Sequence, residues 1–155
     1  MDLTPYLQHQ PRSVDDEPLL SVAITGRIAL AMKGRFFLRC FCESLTERAQ
    51  IGCAVTDEES CLTYLDQDQF ELLLCTDLLE RGNGFEWVRK AREKQPDLKV
   101  VVLALSDAIP VEYDAAPWLE AVVAEADIIE DRKPLEAAVL AVIGPVSYTH
   151  LRAHE

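Results

Sequence analysis

Two stretches of the sequence, Phe70-Glu-Leu-Leu-Leu-Cys-Thr76 and Lys99-Val-Val-Val-Leu-Ala-Leu105, are apolar at consecutive rather than alternate positions. A strand with one face in water alternates; a strand apolar on both faces must be covered on both, as a central strand of a parallel sheet is. Shorter runs at Arg27–Met32, Ile51–Val55 and Ala121–Ala124 predict three more strands. Helical patterns separate them. Gly34 opens a helix with an apolar stripe at Phe36, Phe37, Cys40, Phe41 and Leu45. Thr56-Asp-Glu-Glu59 reads as a capping box ahead of a helix with Cys61, Leu62 and Leu65 inward. Phe85 to Gln95 is a helix ended by Pro96, and Pro134 to Ile143 is the last. Strand and helix in regular alternation predict a single α/β domain with a doubly wound, five-stranded parallel sheet. Its functional crevice lies at the carboxyl ends of the strands.

The chain has 155 residues, enough for one domain with a core. Residues 1–18 read as a polar N-terminal extension, with Pro5, Pro11, Pro18, an Asp15-Asp16-Glu17 run and a short helix over Leu3 to Gln8. The domain is expected over 19–145. Residues 146–155, VSYTHLRAHE, follow the terminator Gly144-Pro145, lack periodicity and resemble a translated sequencing adapter, a non-native tail beyond which the natural protein would have continued. His9, His150 and His154 are the only histidines, so none is expected in the core. The start has no signal-peptide pattern and no apolar run reaches the roughly 20 residues of a membrane span, so a cytoplasmic protein without a membrane partner is expected. Cys40, Cys42, Cys53, Cys61 and Cys75 are irregularly spaced within apolar segments, which predicts buried free thiols rather than disulfides or a zinc site. The net charge of −12 argues against contact with nucleic acid by this segment; Arg27, Lys33, Arg35 and Arg39 are its densest basic group.

Few residues carry chemistry. Asp77 stands at the end of a buried strand, facing the expected crevice. Gly82-Asn83-Gly84 lacks the spacing of a phosphate-cradling loop. Cys40 and Cys42 point to different sides of a helix. Trp87 is expected at the edge of the Phe85-Val88-Ala91 stripe, partly buried, with Trp87 and Trp118 as a partner surface the other reading. Asp107 and Asp114 fall in the loop after the fourth strand, where acids are usually just solvated. No cofactor is expected.

The block from Phe70 to Asp107, FELLLCTDLLERGNGFEWVRKAREKQPDLKVVVLALSD, resembles the centre of a bacterial response-regulator receiver domain, a flavodoxin-like fold. The pattern extends over roughly Gly26 to Ile143, and from MDLTPYL to LLERGNGFEWV the chain is similar to a divergent subgroup in which the receiver precedes a LuxR-type DNA-binding domain. The resemblance puts Asp77 on the phosphoacceptor position, where a carboxylate attacks phosphorus with Mg²⁺ offsetting the charge. It also exposes departures. Met32 and Lys33 stand where two metal-binding acids belong, and Ala104 where a threonine or serine belongs, with Ser106 two residues late. The loop after Asp77 is a residue short and lacks its proline. The family's lysine falls on Ala124 if the fifth strand is EAVVA; if that strand is Asp127 to Glu130, Lys133-Pro134 supplies it two residues late.

These departures predict an atypical, pseudo-receiver module, not an enzyme, with weak or no Mg²⁺-dependent phosphorylation. It would control transcription through an output domain, touching DNA only through that domain. Its partners would be an output domain or other protein, a histidine kinase, or a second copy of the chain. Lys33 has two readings: a surface lysine at a helix start, or a built-in counter-ion for Asp77. Two alternatives stay open, a conventional receiver phosphorylated on Asp77 by a sensor histidine kinase and a flavodoxin-like small cofactor-binding or enzyme domain.

Overall fold

The chain is seen in a computed structural model that describes residues 2–5, 24, 26–45, 49–80, 84–105, 116, 119–124 and 133–142. Within them the elements are β1 (Arg27–Ala31), α1 (Arg35–Leu45), β2 (Gln50–Val55), α2 (Glu58–Gln67), β3 (Leu72–Thr76), α3 (Gly84–Lys94), β4 (Lys99–Ala104), β5 (Leu119–Ala124) and α4 (Lys133–Val142). The five strands form one parallel sheet in the order β2-β1-β3-β4-β5. The consecutive apolar runs have the expected cause. Leu72 and Leu74 face one side with Ile28, Leu30 and Met32 beneath α1, while Leu73 and Cys75 face the other with Ala29, Ala31 and Trp87. No helix among the described residues is long and apolar enough to cross a membrane.

Several local expectations are corrected. The inward stripe of α1 is Leu38, Phe41, Cys42 and Leu45, whereas Phe36 is 81% exposed and Cys40 only half-buried. Gly34, at φ +87°, turns the chain before the helix begins at Arg35. Helix α2 is capped by Asp57, not Thr56: the Asp57 carboxylate accepts from Ser60 N at 2.9 Å. Thr56 is buried and its hydroxyl donates elsewhere. Trp87 is fully buried rather than at an edge. All five cysteines are free and four are buried. Burial pushes the Cys42 thiol up to about 12 and raises Cys75, while the bond to Cys61 and then burial raise Cys53, so these sulfurs are poor nucleophiles.

The N-terminus also departs from its expected helix. Asp2 forms an antiparallel bridge with Val55, and Thr4 and Pro5 lie in a 3₁₀ turn. Residues 6–8 of the expected helix, the acidic run, Trp118, Asp107, Asp114, all three histidines and the tail from residue 146 lie outside the described residues.

The Asp57 cap gives a pH-dependent prediction. Burial raises its carboxyl, but the opposing influences, the backbone and hydroxyl bonds from Ser60 first among them and then the positive charge of the chain's amino terminus, together hold it below its ordinary value. A carboxyl lowered in the folded state stabilises above its unfolded value, about 4, and that contribution is lost as pH falls through the folded value. Asp57→Ala should cost about 1 kcal/mol at neutral pH, and the difference from wild type should shrink towards about pH 3 in urea titrations.

Candidate functional site

The sheet order reverses between β1 and β3, so the crevice of this open α/β sheet opens at their carboxyl ends. Asp77 is the residue after β3, 3% exposed. Its N–H donates to Leu103 O at 3.1 Å, and its Oδ1 accepts from Leu105 N at 3.0 Å. Backbone and side chain together stitch the acid to the end of β4.

Thr76 organises the neighbouring loops. Its buried Oγ1 accepts from Lys33 N at 2.9 Å and donates to Leu78 O at 2.6 Å. Its carbonyl accepts from Trp87 Nε1 at 3.2 Å. One threonine therefore joins the β1–α1 loop, the loop after Asp77 and helix α3. Beyond it, Glu80 N donates to Thr56 O at 3.1 Å, and Thr56 Oγ1 donates to Glu80 Oε2 at 2.9 Å. The loop is thus fastened to the end of β2 as well. Sequence reasoning missed Thr76, Thr56 and Glu80; the Thr-Asp pair at the carboxyl ends of β2 and β3, Thr56-Asp57 and Thr76-Asp77, was the available signal.

The positions flanking Asp77 differ in kind. Met32 is a member of the apolar core under α1, and its N–H donates to Val55 O at 3.1 Å. The Lys33 side chain is exposed, and among the described residues no ion pair joins it to Asp77; what reaches Thr76 is its backbone. Ala104 is buried and offers no hydroxyl, and Ser106 lies outside the described residues. Strand β5 ends at Ala124, so Lys133 opens α4 rather than closing the strand. The alternative fifth strand, Asp127 to Glu130, lies outside the described residues.

A divalent cation does not fit this donor set. Mg²⁺ takes carboxylate and water oxygens, whereas Met32 presents a thioether committed to the core and Lys33 a cation. Among the described residues no three acidic, cysteine or histidine side chains are grouped to hold a metal.

Known structures with this architecture decide the fold. A beryllofluoride-activated DrrB receiver domain matches with a TM-score of 0.62 at 21% identity, covering 77% of this chain and 97% of its own. A signal receiver domain of an HD domain-containing protein from Pseudomonas fluorescens matches at 0.64 and 13%, covering 82% and 94%. The chain has the receiver fold. RcsB from Salmonella enterica serovar Typhimurium, solved bound to a promoter with a phosphomimetic, shares the receiver fold at 0.61 and 16%. That match covers 74% of this chain and spans only 65% of RcsB. No protein-family model and no curated protein matches the sequence. On the receiver fold, Asp77 ends the central strand while Met32 and Lys33 follow β1 beside it.

Proposed function

We propose that this chain is an atypical response-regulator receiver module that transmits a signal by protein–protein contact, with weak or no Mg²⁺-dependent phosphorylation. One observation carries this reading: Asp77 is held at the end of the central strand of a receiver fold, while the residue that should supply a metal-binding carboxylate, Met32, is packed into the core. A carboxylate nucleophile needs a cation against the charge that builds on the transferred phosphoryl group. Neither Met32 nor the exposed Lys33, unpaired with Asp77, supplies a metal ligand.

The module would work in the cytoplasm through an output domain, a second copy of itself or a histidine kinase. Transcriptional control would run through a LuxR-type domain, the likeness to promoter-bound RcsB being its support. A conventional receiver is the second reading, favoured by Asp77 itself; one solved neighbour, from Burkholderia pseudomallei, carries a phosphorylated aspartic acid. Incubation with acetyl phosphate and Mg²⁺ followed by intact mass measurement separates them. The proposed reading expects unmodified protein; stoichiometric, Mg²⁺-dependent acylphosphate on Asp77 sinks it.

A further inference from the structure

Strand β2 is an edge of the sheet, with one row of backbone groups unsatisfied by β1. Residues 2–5 cover that row at its carboxyl end. Leu3 N donates to Ala54 O at 2.8 Å, and Ala54 N donates to Thr4 Oγ1, also at 2.8 Å. Asp2 pairs with Val55, and its Oδ2 accepts from Tyr64 Oη on α2 at 2.7 Å. Leu3 is 4% exposed and belongs to the apolar core under α1. Alternate residues thus face opposite sides, as in a strand: the acid towards α2, the leucine towards the core. Pro5, with no N–H to donate, cannot prolong a strand ladder.

We infer that the carboxyl end of the β2 edge is a docking site for a short peptide segment of the pattern acid–leucine–threonine, paired with the strand at the acid and turning at the threonine, occupied by the chain's own N-terminus, and that its occupancy sets the loop after Asp77. Each position is recognised by its chemistry: the carboxylate by the Tyr64 phenol, the leucine by the core, and the hydroxyl oxygen by the Ala54 amide. The bound segment holds Ala54 and Val55. The next residue, Thr56, carries the two bonds that fasten Glu80, three residues beyond Asp77. Release of the segment frees the end of β2, and with it the anchor of that loop. The regulatory half rests on reading the chain as a receiver-fold module whose loop is not set by phosphoryl transfer; the docking half does not.

A chain lacking residues 1–5 should remain folded by circular dichroism and bind a synthetic peptide of residues 1–7, labelled at its carboxyl terminus, in fluorescence anisotropy. The intact chain, its site filled, should bind at least about tenfold more weakly, as should the Leu3→Asp peptide to the truncated chain. Amide exchange over residues 53–56 and 77–80 should quicken together on truncation and slow together when the peptide is added. A folded truncated chain that ignores the peptide, or takes the Leu3→Asp peptide equally, overturns the docking site. Quickened exchange at 53–56 with 77–80 unchanged overturns the coupling. Should truncation unfold the protein, the full chain with Asp2→Ala and Thr4→Ala keeps Leu3 in place and must show the same paired exchange; unchanged exchange there overturns the inference. Every arm omits Mg²⁺ and phosphodonor, so acylphosphate formation on Asp77 would count against the proposed function and leave the peptide result standing.

Discussion

Trp87→Ala is expected to lower the unfolding free energy by about 3–5 kcal/mol, read as a fall in the urea midpoint at unchanged slope. Trp87 is among the largest fully buried side chains, packed on α3 against the sheet face that carries Ala29, Ala31, Leu73 and Cys75. Truncation removes its burial and leaves a cavity whose lining, strand backbone on one side, has little freedom to collapse. It also removes the indole donor from Thr76 O, the residue before Asp77. Trp87→Phe separates the two effects. It keeps most of the apolar volume and should cost about 1–3 kcal/mol, the penalty for a buried acceptor losing its donor together with a smaller void. Against the roughly 5–15 kcal/mol of a typical domain, the alanine variant approaches the limit of foldability. A cost under about 1 kcal/mol for Trp87→Ala would show that α3 does not pack on the sheet as described.

The five strands, their alternation with helices and the place of Asp77 were legible because they depend on patterns that act locally and in bulk. An apolar run such as Val100 to Leu103 has no stable place except between two covering layers, so the sheet follows from the sequence to within a residue or two at most strand ends. Three kinds of feature were hidden. The segment from Leu3 was predicted helical, yet its partner is an edge some 50 residues away in sequence, at Ala54, and no local pattern announces a long-range bridge. Thr56 fitted a capping box, but a threonine still within the strand direction turns its hydroxyl to Glu80 and leaves the cap to Asp57. The α1 stripe was misphased by one position because sequence periodicity fixes the width of an apolar face, not its angle to the sheet. The candidate site was hidden in part as well: the resemblance put Met32 and Lys33 at the positions of the family's metal-binding acids, but could not show that one faces the core and the other water.

Lys33→Asp alone should change stability by no more than about 0.5 kcal/mol, since the lysine side chain is exposed and its bond to Thr76 comes from the backbone. Met32→Asp with Lys33→Asp should cost about 3–5 kcal/mol without metal, because a carboxyl group replaces a fully buried methionine in an apolar cluster. Ala31 pairs with Cys75, so both new acids follow β1 beside Thr76 and Asp77. Three carboxyl groups at one end of the sheet repel one another, and the most buried should take up a proton first. Mg²⁺ should reverse part of the loss in the double variant alone, by about 2.7 kcal/mol at a concentration a hundred times its Kd, because only the folded state gathers the ligands. Wild type, with a thioether in the core and an ammonium in water at those positions, should show no such gain. Thermal unfolding of the three proteins with and without Mg²⁺ is the measurement. If wild type rises in Tm with Mg²⁺ as far as the double variant does, then Asp77 already binds metal by ligands other than those at 32 and 33, and the reading of this site as one that has lost its cation fails.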